Sequence, residues 1–472
     1  VVTESFLRGT PSSNDISNNL GRLSRPDLET LQQRAARAEL VRLSTSECFN
    51  QFGGDFETEY FAVLFVSNSN AAPLIQTSKG AIRDLVPNQS SIQYCLALPA
   101  PAPTCEVNLN ASLLGSVALL NSIALIATAA VLFKRPFSFC PIITLGDAIS
   151  SFLQDPDPTT QGACLLSKSD VRQGRWPLQE SKFWTPRAHH WLRSVSLPRW
   201  ITTFSLWTVC VSLAAGALAF SLTSPSMPGQ LSAFGAPSPH TLIPLPSNIP
   251  PAAAAVIASL PQLLLVGLYF TANAVLTTYY LSRESSLFAS GPARPLRVSA
   301  DAEGAQTTSL HLTLPVPVSA LLMVWFMGMA FVLSQSFFAV SIKLVDVSLS
   351  TDTLGSDGGS VLVVAIGVSG VGFLVLLAML VLLAVVILGL GLRRAPGVGV
   401  INGEMVGNPM ALPGGSCSAV VSARCHPLAR EKKLWRKPVM WGVVREGSGF
   451  GVSHCGFTAG RAGVVEAGRN YA

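Results

Sequence analysis

A chain of 472 residues is long enough for roughly three soluble domains, yet only 12% of it is charged and 49% is hydrophobic. Soluble globular proteins carry roughly 25% charged residues, so this composition excludes a disordered chain, a nucleic-acid-binding tail and a conventional cytosolic enzyme, and it points to a membrane. The formal charge of +6 comes from 32 Lys+Arg against 26 Asp+Glu, and nine Cys are too few for a disulfide scaffold.

The chain opens at Val1, its first Met is Met227, and VVTESFLRGT offers neither a basic stretch nor an apolar leader. A segment upstream is therefore expected. Residues 1–111 read as a small extracytoplasmic segment, with a helix over 24–43 that has Pro26 near its start and a strand at 60–67, YFAVLFVS. Cys48, Cys95 and Cys105 are disulfide candidates in this segment, with the pairing open. Asn88 and Asn110 head the two N-x-[ST] sequons and are the expected glycosylation sites, Asn88 the better acceptor because Asn110 lies almost at the membrane.

Five stretches are apolar over the roughly 20 residues that a helix needs to cross about 30 Å of hydrocarbon: 112–133, 201–222, 252–281, 316–342 and 361–392. None contains Asp, Glu, Lys, Arg or His. The third and fifth exceed what a perpendicular helix requires, so tilt, an extension beyond the bilayer or a kink at Pro261 takes up the excess. Lys and Arg concentrate in 134–200, 282–315 and the tail 393–472, which are cytosolic by the positive-inside rule. The Pro- and Ser-rich connection 223–251 has no charged residue, and 343–360 has Lys343 against Asp346, Asp352 and Asp357, so both face outward.

Within 134–200, Leu145, Ala148, Ile149, Phe152 and Leu153 fall at helical spacing and form one apolar face, suited to an interfacial helix on the inner leaflet. Asp155-Pro156-Asp157-Pro158 then ends that helix. The pair of aspartates reads as a turn rather than a hard-cation site, which needs six or more oxygens. Inside the spans, Asn121, Gln262, Asn273 and Gln335 are costly in hydrocarbon unless paired, so they either join helices or line a path for solute. The lack of ionisable groups there argues against proton-coupled transport.

The tail is Gly-rich and partial order is expected. Cys417, Cys425, His426, His454 and Cys455 are soft ligands without zinc-site spacing. Gly447 to Gly451 resembles part of a phosphate loop but lacks the Walker lysine. No HExxH or GxSxG occurs. His189 and His190, among Trp184, Trp191 and Trp200, read as an anchor before a span and not as a nucleic-acid contact. The residues therefore carry no catalytic, cofactor-binding or metal site.

The phrases TLGDAISSFLQDPDPTTQGACLLSKSDVRQGRW, LPQLLLVGLYFTANAVLTTYYL, PLRVSADAEGAQTTSLHLTLP, GSCSAVVSARCHP and the terminal GRNYA resemble the DUF6536 family of large fungal multi-pass membrane proteins. The resemblance implies two further spans upstream, seven in a complete chain, and no established activity. The expectation is an all-α integral membrane protein of a plasma membrane or endomembrane, with five transmembrane helices, a small outer N-terminal domain and a cytosolic tail, and no enzymatic activity. Its partners are the lipid bilayer and proteins bound at the cytosolic loop and tail. Function divides between a receptor-like or scaffolding protein and a channel or facilitative transporter of a neutral solute.

Overall fold

The computed structural model describes residues 2–7, 9, 25–52, 60–67, 92–99, 111–134, 142–175, 181–223, 234–235, 242–246, 248–309, 313–344, 361–401, 404–428, 431–447 and 451–472. Asn88, Asn110 and Cys105 lie outside the described residues. Five long helices, Ala111–Lys134, Leu197–Leu222, Pro251–Leu287, Val316–Ser336 and Gly370–Gly391, are long and apolar enough to cross a membrane. The chain divides into two compact units: Val1–Ile126 with Leu213–Pro261 and Phe331–Leu376, and Ala127–Ser212 with Gln262–Ala330 and Leu377–Ala472.

The expectation of an all-α chain is corrected, because the helices share the chain with several strands. In the first unit, Ile92–Pro99 is the centre of an antiparallel sheet between Val41–Ser44 and Tyr60–Ser67. The predicted strand at 60–67 is present, and the helix predicted over 24–43 is present as Arg25–Ala36, shorter than expected because 41–43 belong to the strand Val41–Ser44. Val2 extends the sheet: its N–H donates to the Phe65 carbonyl at 2.9 Å and its carbonyl accepts from Ser67 at 2.8 Å. Val2, Phe6, Leu31, Leu64, Val66 and Leu98 bury one small core, and Cys48, Ile92, Cys95 and Ala97 a second. A disulfide joins Cys48 to Cys95 within the second.

The same unit holds a second sheet, which replaces the C-terminal end of the fourth predicted span and the N-terminal end of the fifth. Residues 337–342 were expected to continue the fourth helix and 361–369 to begin the fifth. Instead Phe337–Leu344 and Val361–Val368 pair antiparallel over eight residues, from Phe337 opposite Val368 to Leu344 opposite Val361. Leu242–Pro244 adds a third strand on Val361–Val368, so part of the 223–251 connection is ordered. The sequence supports this outcome: Val361-Leu362-Val363-Val364 is rich in β-branched residues, whose stiff side chains favour extended backbone. Gly367 is required by close approach, since a Cβ there would lie 2.5 Å from the Phe338 ring across the ladder.

The second unit has one main core assembled from three chain segments. Leu145, Ile149, Leu153, Cys164 and Trp184 come from the first connection, Phe288, Leu296 and Val298 from the second, and Met410, Val421, Leu434, Trp441, Phe457 and Tyr471 among others from the tail. Backbone hydrogen bonds stitch the segments: Arg294 and Val439 exchange two at 2.8 Å, and Trp441 donates to the Phe288 carbonyl at 2.8 Å. The third helix runs past its predicted end at Leu281 to Leu287; there Ser282, Ser285 and Ser286 are buried and Ser285 Oγ donates to the Met410 carbonyl.

Two expectations change here. The amphipathic helix Leu145–Gln154 buries Leu145, Ile149 and Leu153 against protein, so its apolar face is not left for an inner-leaflet surface. Its start is fixed by a capping box of Thr144 with Asp147, and Asp147 also accepts from the Ser299 N–H and hydroxyl at 2.8 Å. Burial alone would raise the Asp147 pKa, but hydrogen bonds from Thr144 and Ser299 outweigh it and hold the carboxyl below its usual range. The tail, expected to be only partly ordered, carries the hairpin Met440–Arg445 with His454–Thr458 and much of the core.

Candidate functional site

The second unit contains a cleft of about 760 Å³ between the first connection and the tail. One wall is the helix Lys168–Arg172, capped by Ser167 and Asp170 in a second capping box. Another is strand Lys182–Phe183, which pairs with Asn470–Tyr471, followed by the stretch from Trp184 to Arg193. The tail supplies the loop from Asn408 to Gly415 and Arg424. Asn408 anchors that loop by donating to the Ser286 and Pro396 carbonyls and accepting from the Met410 N–H. Gly414 and Gly415 turn it with consecutive positive φ of 75° and 93°.

Six cationic side chains line the cleft, namely Lys168, Arg175, Lys182, Arg187, Arg193 and Arg424, against the single carboxylate of Asp170. That carboxylate is committed: it bonds Lys182 Nζ, pairs with Arg175 Nη2 at 3.0 Å and caps its own helix. Burial would raise the Asp170 pKa, but Lys182 and Ser167 hold it below its usual range. Among the described residues no carboxylate pairs with Lys168, Arg187, Arg193 or Arg424. Lys168 donates to the Gly414 carbonyl at 2.8 Å. Its pKa is lowered by burial and by the neighbouring charges of Arg172 and Arg199.

Arg424 is the extreme case, only 5% exposed. Its Nη1 donates to the Met410 carbonyl and its Nη2 to those of Pro409 and Ala411, at 3.1 to 3.2 Å. Its Nε has no partner among the described residues. Burial lowers its pKa to about 10, so it remains a cation at neutral pH.

His189 also lines the cleft, with Nε2 3.0 Å from Ser194 Oγ. Burial first, then the charges of Arg193 and His190, lower its pKa to about 4. A depressed histidine pKa means that the unfolded chain takes up a proton below about 6.5 while the folded one does not until about 4. The stabilisation is complete above pH 6.5 and is lost as pH falls towards 4. His426, lowered by burial and by His454, adds in the same direction. The melting temperature of the second unit is expected to fall between pH 7 and pH 5, with roughly 1 to 3 kcal/mol lost, and His189→Gln to make the decline shallower. A slope unchanged in that variant would remove His189 as its source.

The tail cysteines and histidines do not form a metal centre. Cys425 and Cys455 are buried in the core beside Cys164; burial raises the Cys425 thiol above its ordinary range, and a hydrogen bond shared by Cys164 and Cys455 lowers the first and raises the second. His426 Nε2 lies 2.9 Å from Thr160 Oγ1, and both ring nitrogens of His454 meet backbone carbonyls. Among the described residues no group of three or more His, Cys, Asp or Glu side chains is placed to hold a metal. Asp157 caps the short turn Pro158–Thr160 instead of facing a cation.

Of the polar residues in the spans, Asn121 is exposed, and Gln262, Asn273 and Gln335 are half-buried. Gln262 and Asn273 share a helix and a face but are three turns apart, about 16 Å along the axis. None of the four lines the cleft. The cleft itself was missed because Lys168, Arg187 and Arg193 read as an inside-facing charge excess, and nothing in the sequence links them to Arg424.

A family model described as a domain of unknown function, DUF8419, matches residues 144–185 and 178–462. The chain belongs to that family. This corrects the resemblance to the DUF6536 family, and nothing found supports a fungal source. No curated protein and no solved structure matches the chain.

Proposed function

We propose that this member of the DUF8419 family is a multi-pass membrane protein with a receptor-like or scaffolding role, in which the two Lys- and Arg-rich connections and the tail, joined in the second unit, serve as a cytosolic docking module. The observation that carries the reading is the core that draws on both Lys- and Arg-rich connections and on the tail. Connections and a tail that served only as tethers would have no reason to bury Trp184, Leu296 and Trp441 in a shared interior. The membrane reading is supported by the helix surfaces: Leu119, Leu125, Leu263, Phe270, Leu321 and Val324 are all more than 60% exposed, an apolar area that water does not tolerate and lipid does. The cytosolic assignment follows the Lys and Arg distribution.

The alternative, a path for a neutral solute, draws on the amides in the spans, yet Gln262 and Asn273 stand at different depths of one helix. The chain is read as having no enzymatic activity. Swelling of proteoliposomes in glycerol and urea separates the two roles. A scaffold leaves the swelling rate at that of protein-free liposomes, and Gln262→Leu, Asn273→Leu and Gln335→Leu change nothing. A faster rate that one of these variants abolishes would establish the transporter.

A further inference from the structure

We propose that the cleft of the second unit binds a ligand carrying two or more phosphate groups, with Lys168, Arg187, Arg193 and Arg424 as the recognising cations. Three observations carry it. The first is charge without compensation: the cleft holds six cations, and its one carboxylate is already spent on Arg175 and Lys182. Like charges gathered in a concavity repel through protein of low dielectric. An anion relieves it.

The second is Arg424. A guanidinium nine-tenths buried ordinarily meets a carboxylate, because desolvating it costs several kcal/mol. This one meets three backbone carbonyls and lines the cleft with no carboxylate beside it, while its enclosed Nε has no partner among the described residues. A cation whose charge no carboxylate offsets favours an anion in the cleft, and arginine is the side chain matched to phosphate geometry. The third is size. About 760 Å³ lies within the range of small-molecule sites and is far more than one phosphate fills, so spread cations call for more than one anionic group.

Two sources share this chemistry, a soluble polyphosphate and a phosphorylated lipid headgroup. Arg193 lies just before the long helix Leu197–Leu222, and Arg199 in its first turn is near Gly415 at the cleft. If that helix spans the bilayer, the cleft borders the headgroup layer. Only this lipid source rests on the membrane reading; the anion site does not.

The test uses the full chain with inositol hexakisphosphate in detergent, and with nanodiscs of phosphatidylcholine holding either phosphatidylinositol 4,5-bisphosphate or phosphatidylserine at matched charge. Binding is expected for the hexakisphosphate, for the bisphosphate nanodiscs, or for both, weakening with salt. Lys168→Ala with Arg187→Ala is expected to weaken it by about tenfold or more. Lys432→Ala with Lys433→Ala, which removes the same charge away from the cleft lining, should change it by no more than about twofold. Binding of the soluble compound alone assigns a free ligand, and binding of the bisphosphate nanodiscs alone assigns a lipid. Equal weakening by the two double variants, equal binding of phosphatidylserine, or binding of none of these overturns the proposal. Melting curves of both double variants, expected to match the parent, separate a lost ligand site from a lost fold.

Discussion

Trp441→Ala is expected to cost the second unit about 3 to 5 kcal/mol, the usual toll of removing a buried aromatic from a core. Trp441 is 1% exposed, lies in the strand Met440–Arg445 opposite Phe457, and donates its backbone N–H to the Phe288 carbonyl. It therefore sits where the tail meets the second connection, and Phe288 packs edge-on to Phe457 with centroids 5.5 Å apart. The indole Nε1 has no partner among the described residues, which makes Trp441→Phe informative. That variant loses volume but also removes a buried orphan donor, so a cost below about 1.5 kcal/mol is expected. A thiol-reactive dye followed on heating reads the result as the rise above the signal of the part-exposed Cys210 and Cys417, since Cys164, Cys425 and Cys455 are buried in this core and react when it opens. If Trp441→Ala left the transition in place, the tail would not be part of one cooperative unit with the connections.

The long helices were legible because an uncharged apolar run of some 20 residues has few alternatives. Their ends were not. Hydropathy treats Phe337–Leu344 and Val361–Val368 like the helices beside them, and a short apolar run does not declare whether it is helix or strand. The tertiary partner decides: each strand satisfies the other's backbone. The helix Leu145–Gln154 fails differently, since Leu145, Ile149 and Leu153 make the same stripe whether they face lipid or Leu296 and Val298. What no window could reveal is the second unit as a whole. Its core joins residue 145 to residue 471, and the cleft joins Lys168 to Arg424, across sequence that contains four of the long helices. Positive charge near a span has a sufficient explanation in topology, and that explanation hid the clustering of the same charges around one concavity.

Removing the disulfide in Cys48→Ala with Cys95→Ala is expected to destabilise the first unit by about 4 kcal/mol. The bond closes a loop whose ends are 47 residues apart, and the entropy withheld from the unfolded chain grows slowly with that length. Both cysteines are fully buried and stand with Ile92 and Ala97 in a small core of their own, and the bond ties the helix Thr45–Phe52 to the central strand together with the hydrogen bond from Thr45 Oγ1 to the Gln93 carbonyl at 2.7 Å. Alanine is the right replacement because serine would bury a hydroxyl and add a desolvation cost of its own. A melt under oxidising conditions should show the double variant shifted down, and the parent treated with reductant should move by the same amount while the variant does not respond. Cys105→Ala serves as the control: with Cys48 and Cys95 bonded to each other, it should melt like the parent. If Cys105→Ala instead carried the loss, the pairing in this unit would be a different one, and the residues that it ties to the sheet would have to be assigned again.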